Sequence, residues 1–178
     1  EHLRRTGLDR ETLVILVGDH GQAFGQHGTL GHGGDLFEEN VRVPLLFAFP
    51  GLARESRARR LTSHIDLAPS IVDLLGLDAP ANWHGQSVFT QGQDRPVLFS
   101  TAWIDLVVGY RTGNRKVIAR LTRNEASAFE LDRDPQERSD LLAGSPALER
   151  EEIARLQSWF RWTEEESTRR EAGSRVRP

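Results

Sequence analysis

The residues with the most chemistry in this sequence fall between Gly18 and His32. Gly18-Asp19-His20-Gly21 sets a carboxylate beside an imidazole, and His27 and His32 follow in the same stretch. Neighbouring carboxylate and imidazole groups can both ligate one divalent cation. Glycines on either side let the backbone turn sharply and let a substrate come close. Spacing alone leaves a second reading open, in which Asp19 is a turn cap and His20 a hydrogen-bonded loop histidine. The separation of His27 from His32 is not specific to a metal site.

Such a pair needs a rigid support, and the flanking sequence supplies candidates. The β-branched and apolar run Thr12 to Val17 ends directly at Gly18. Because it is continuous and not alternating, it predicts a strand covered on both faces in a mostly parallel sheet. Ligands collect outside the carboxyl ends of strands in such sheets, which is where Asp19 and His20 fall. A second run, Val43 to Phe49, predicts a neighbouring strand of the same sheet. Between the runs, Gly21 to Gly34 holds six glycines and is expected to carry little regular structure. Glu1 to Arg5 reads as a helix end stopped by Gly7. Asp66 reads as an N-cap, with Ile65, Ala68, Val72 and Leu75 as the core stripe of the helix that Gly76 ends. Short strands are predicted at Val97–Ser100, Leu106–Arg111, Lys116–Leu121 and Ala128–Leu131. Turn signals such as Thr112-Gly113-Asn114 make them an antiparallel meander. Ser145-Pro146 starts a final helix with Leu148, Ile153, Leu156 and Phe160 as its stripe. Trp159, Phe160 and Trp162 read as core or docking residues.

Composition narrows the classes. The 178 residues are 38% hydrophobic and 28% charged, ordinary for a globular chain. A net charge of −3 argues against a nucleic-acid surface. The longest apolar runs fall far short of the ~20 residues that span a bilayer. With no cysteine, a disulfide framework, a thiolate metal site and a cysteine nucleophile are all excluded within this stretch. Of the 23 Lys and Arg residues only Lys116 is a lysine. The sequence begins at Glu1 and shows no signal peptide.

The run from Thr12 to Phe47, with Val-Gly18-Asp-His-Gly, Gly31-His-Gly-Gly-Asp-Leu-Phe-Glu-Glu-Asn and Val-Arg42-Val-Pro-Leu-Leu-Phe, resembles the second signature half of the sulfatase family. That family belongs to the alkaline phosphatase superfamily. Asp66-Leu-Ala-Pro-Ser-Ile-Val-Asp-Leu-Leu-Gly resembles the helix that follows there. Gly113-Asn-Arg-Lys-Val-Ile and Phe129-Glu-Leu-Asp-Arg-Asp-Pro-Gln-Glu-Arg-Ser-Asp-Leu-Leu-Ala resemble the closing subdomain. The resemblance runs in family order from Glu1 to Trp162.

It implies an α/β fold. Residues 1–95 would be the C-terminal part of the sulfatase-like catalytic domain, 96–163 a small antiparallel sheet plus final helix, and 164–178 a charged, frayed tail. Asp19 and His20 match the late pair of metal ligands, for Ca²⁺ or Mn²⁺. His32 matches a position that contacts the sulfate or phosphate group and is the catalytic candidate. His27 is carried as a second substrate-binding candidate, against a hydrogen-bonded loop histidine. Many sulfatases have Lys at the place of His32, so a phosphatase or phosphotransferase of the same superfamily stays open. No Cys/Ser-x-Pro-x-Arg motif, the source of the formylglycine nucleophile, occurs in the sequence. The resemblance therefore implies the C-terminal part of a metal-dependent sulfuric ester hydrolase, inactive by itself and partnered by an N-terminal half of the same enzyme. A non-catalytic metal- or glycan-binding remnant is the remaining alternative. The family resemblance favours a periplasmic or extracellular location. Glu38 and Glu39 read as a solvated pair, Arg54 to Arg60 as a solvated connection, Arg42 as a strand anchor, Ser70 as scaffold, and His64 and His84 as structural.

Overall fold

The computed structural model describes residues 1–52, 60–90 and 94–174, with the last five of these described by backbone alone. The connection Arg54 to Arg60 thus lies outside the described residues except for Arg60. Helix α1 (His2–Thr6) ends at Gly7, whose φ of 76° is the left-handed cap that only glycine adopts freely. Strand β1 (Val14–Val17) follows. A two-residue hairpin, β2 (Ala23–Phe24) and β3 (Leu30–Gly31), occupies the glycine-rich stretch expected to be irregular. Helix α2 (Glu38–Val41) leads into β4 (Leu45–Ala48).

β1 and β4 are neighbours, as their composition predicts, but they pair antiparallel, Val14 opposite Ala48 and Val17 opposite Leu45. Among the described residues every strand pair is antiparallel. A parallel pair would need a crossover back to the start of β1. Here the chain leaves and re-enters at one end, where Gly18 N–H donates to Pro44 O at 3.2 Å. Both strands are apolar on both faces yet poorly covered, with Leu16 53% and Leu46 58% exposed.

Helix α3 (Leu67–Leu74) departs from the expected packing. Ile65, Ala68 and Leu75 of the proposed core stripe are exposed. The buried face instead carries Pro69 and Ser70. Asp66 stands at the N-cap position of α3 as expected, but its side chain makes no cap hydrogen bond there and serves instead as a buried hub. Its carboxylate accepts from Ser63 N–H at 2.9 Å and Gln86 N–H at 2.8 Å, and pairs with Arg95. Ser70 is scaffold, donating to Asp66 O and accepting from Val88 N–H.

The meander is as the turn signals predict: β5 (Val97–Thr101), β6 (Val107–Thr112), β7 (Arg115–Arg120) and β8 (Glu125–Glu130) run in that order, all antiparallel. One face packs Val108, Tyr110, Val117 and Ala128 against Ile153 and Leu156 of α4 (Pro146–Ser174). Leu148, expected in that stripe, is exposed. The helix also continues through the stretch expected to fray, supported by pairs such as Arg169 with Glu165. The other face packs Val107, Ile118, Phe129 and Leu131 against Leu36, Phe37 and Val41. The sheet is therefore the floor on which the segment after His32 rests.

Candidate active site

The antiparallel return of β4 brings the end of β1 against α2. Gly21 N–H donates to Asn40 O at 2.8 Å, and a Cβ at position 21 would lie 2.0 Å from Glu39 O. Only glycine permits that approach. The turn Asp19-His20 is held by this clamp and by His64, whose Nε2 donates to Gly18 O at 2.7 Å.

Asp19 is 89% exposed at its side chain. One carboxylate oxygen accepts from His20 N–H at 3.0 Å, and this backbone hydrogen bond is the main cause that holds its pKa below the usual carboxylate value. The other oxygen stands 3.7 Å from His20 Nε2. His20 Nδ1 lies 2.8 Å from Gly21 O. A carbonyl only accepts, so Nδ1 carries the proton and the neutral ring leaves Nε2 as a lone pair.

His32 arrives at the same place. Its ring stacks on His20 with centroids 3.9 Å apart. Its Nδ1 faces Gln22 Oε1 at 2.9 Å, which leaves Nε2 without a partner among the described residues. The structure thus joins Asp19, His20 and His32. A groove of about 720 Å³ opens beside them, lined in part by Val17, Arg42, His64 and Arg111, but the three residues stand outside it.

His27 engages a different set. Its ring lies flat on Phe37 at 3.6 Å, Nδ1 meets Glu39 Oε1 at 2.7 Å and Nε2 meets Glu137 O at 3.2 Å. Burial opposes its charge, but the hydrogen bond and charge of Glu39, with help from Glu137, outweigh burial and hold its pKa above the ordinary histidine value. Both ring nitrogens are spent within the protein, so His27 buckles the hairpin and has none left for a substrate.

Glu38 and Glu39 are not a solvated pair. Glu39 holds His27, while Glu38 pairs with Arg111 at 3.1 Å and with Lys116 at 3.1 Å. Lys116 is wholly buried, 2.8 Å from Glu137 and 5.6 Å above the Phe99 ring. Burial pushes the Glu137 carboxyl pKa up, against the charge of Lys116. Glu137 also accepts from Glu38 N–H at 2.6 Å, and Asp35 pairs with Arg120. These pairs pin the segment after His32 to the C-terminal sheet. Sequence reading missed them and also missed Gln22. The one usable signal was that the only lysine falls inside a strand.

Asp19 Oδ2 and His20 Nε2 are close enough, and free enough, to be two donors to one divalent cation. Among the described residues no group of three or more His, Cys, Asp or Glu side chains could hold a metal. Two donors are fewer than Ca²⁺ or Mn²⁺ takes, so an ion bound here would need further ligands from elsewhere.

With this geometry in hand, the class is that of the sulfatase-like α/β fold. The chain matches a solved 2-O GAG sulfatase with a TM-score of 0.68 at 23% identity, over 95% of this chain and 39% of that one. The family model described as Sulfatase matches residues 1–77. The chain is 33% identical over 149 residues to the choline-sulfatase of Rhizobium meliloti (strain 1021), covering 78% of this chain and 28% of that protein. It is 27% identical over 147 residues to an extracellular sulfatase SULF-1 homolog of Drosophila melanogaster, covering 83% of this chain and 13% of the relative. The chain belongs to the sulfatase family and spans well under half the length of these relatives.

Proposed function

We propose that this chain supplies the late metal-ligand pair and the anion-contacting histidine of a sulfuric ester hydrolase. The nucleophile, a formylglycine in this family, and the remaining ligands would come from polypeptide outside these 178 residues. The observation that carries the reading is the convergence of Asp19, His20 and His32 at one strand end, each with an uncommitted donor atom. Uncovered apolar residues on β1, β4 and α3 support the same view, because uncovered strand and helix faces of this kind mark contact with further polypeptide.

Asp19 and His20 would hold a divalent ion, Ca²⁺ or Mn²⁺, with the imidazole tilting the choice toward Mn²⁺. Bound there, the ion would supply Lewis-acid polarisation of a substrate oxygen. The work of this chain is orientation. Gly21 O fixes the His20 tautomer, and Gln22 fixes the His32 ring. With Nδ1–H committed to Gln22, His32 as an imidazolium donates from Nε2. It would hydrogen-bond a sulfuryl oxygen or hand its proton to the leaving oxygen. Export to the periplasm or outside the cell fits this reading, since one relative is named as extracellular. Among the described residues no helix is long and apolar enough to cross a membrane.

A second reading is phosphoryl transfer in the same fold. It is favoured by His32 standing where many sulfatases carry Lys. The test is the intact protein assayed on matched aryl sulfate and aryl phosphate, with metal content measured for wild type, Asp19→Ala and His32→Ala. The sulfatase reading expects turnover of the sulfate. Asp19→Ala should lose metal and activity together, and His32→Ala should keep metal and lose rate. Equal metal content in wild type and Asp19→Ala removes Asp19 from the site. Preference for the phosphate moves the assignment to the second reading.

A further inference from the structure

We propose that Trp103 is a specificity-determining residue of this site, selecting esters whose alcohol carries a ring with an apolar face, aryl or pyranose. The inference rests on the hydrolase reading above and concerns the organic part of the substrate.

The loop between β5 and β6 is fixed at both ends. Thr101 Oγ1 donates to Gly33 O at 2.8 Å, and Asp105 pairs with Arg123 at 3.0 Å and accepts from Thr122. Between these anchors Trp103 is 82% exposed and Ile104 75% exposed. Both sit on bare backbone directly after His32. A Cβ at Gly33 would meet Trp103 Cβ at 3.3 Å and Cγ at 3.4 Å, and one at Gly34 would meet Ile104 Cδ1 at 3.4 Å. Gly33 also has φ of 82°, so glycine serves both the backbone and the close approach there.

The indole therefore belongs to the surround of His32 although it lies far from it in sequence. On the other flank of His32, Leu30 and its cross-strand partner Phe24 are also exposed. Exposed apolar residues thus flank His32 in the chain on both sides, Leu30 before it and, packed on Gly33 after it, Trp103. That suits an ester with an anionic head and a ring behind it. Tryptophan on a pinned loop offers a large flat face with little conformational freedom to lose on stacking. A short alkyl alcohol cannot use that face.

The test uses the intact protein with Trp103→Ala, Trp103→Leu and Trp103→Phe. An aryl sulfate, a monosaccharide sulfate and a short linear alkyl sulfate are compared. The expected result is a fall of about fivefold in the kcat/KM ratio of ring to alkyl ester for Trp103→Ala and Trp103→Leu. It should be carried by KM, and Trp103→Phe should restore most of it. Comparing the aryl and pyranose arms assigns the ring type. Equal losses on ring and alkyl esters, or no change in any variant, would overturn the proposal and mark Trp103 as packing against other polypeptide. If wild type turns over no sulfate ester, the hydrolase reading fails, and calorimetric binding of the same ring compounds still decides this one. Weaker binding by Trp103→Ala sustains it, and equal binding overturns it. Should Trp103→Ala fail to fold, Trp103→Leu and Trp103→Phe carry the comparison.

Discussion

Replacing Lys116 with methionine should be among the most damaging single changes in this chain. Lys116 is wholly buried, and Glu137 is 1% exposed at its side chain. At 2.8 Å their attraction is about 6 kcal/mol for an effective dielectric of about 20. Most of that is offset by the desolvation of both ions. Removing the lysine alone keeps the cost of burying Glu137 without the compensating charge, a loss of about 3–5 kcal/mol. The loss should also depend on pH. Burial already holds the Glu137 pKa above its ordinary value, and Lys116 is the leading influence that opposes burial. Without Lys116 the folded carboxyl binds its proton still more tightly than the unfolded one. Stability is then favoured at low pH and falls as pH rises past the unfolded carboxyl value. Urea unfolding followed by circular dichroism at pH 5 and pH 7 measures both effects. Lys116→Met should lose less at pH 5 than at pH 7, and adding Glu137→Gln should return at least half of the loss at pH 7. A loss under about 1 kcal/mol, or one no smaller at pH 5, would refute the reasoning.

His27→Gln should cost about 1–2 kcal/mol at pH 6 and less at pH 9. The raised pKa of His27 makes its contribution complete below the ordinary histidine value and lost as pH rises through the folded one; melting temperatures at the two pH values check this. Gly21→Ala should drive a Cβ into Glu39 O, costing more than about 3 kcal/mol and displacing the Asp19-His20 turn from α2. Metal content and unfolding of the intact variant would show both. An undisturbed Gly21→Ala protein would mean the clamp is looser than drawn.

Much of the fold was legible for identifiable reasons. The meander carried its own turn residues, and Gly7 marked the end of α1 through a left-handed cap. The runs forming β1 and β4 announced strands, but a hydrophobic run carries no direction. The pairing sense depended on the intervening loop returning to its starting end, which no local signal encodes. The stripe of α3 was visible in its spacing, yet the described residues do not cover it. Asp19, His20 and His32 were legible as residue types in one glycine-rich stretch. His27 looked equivalent to them, and only geometry separates it. Glu38, Lys116 and Glu137 were not legible as a unit. Charged residues far apart in sequence read as solvated, and their burial depends on a contact between the site segment and a sheet formed much later in the chain.

The burial of Lys116 gives the folded chain an unusual chemical silence. It is the only lysine in 178 residues, so an amine-acylating reagent finds no accessible side-chain target while the structure is closed. When the segment bearing Glu38 lifts from the sheet, a single nucleophilic amine is released. Acylation at that one position, followed by mass spectrometry, would therefore time the detachment of the site segment from its floor without any engineered probe.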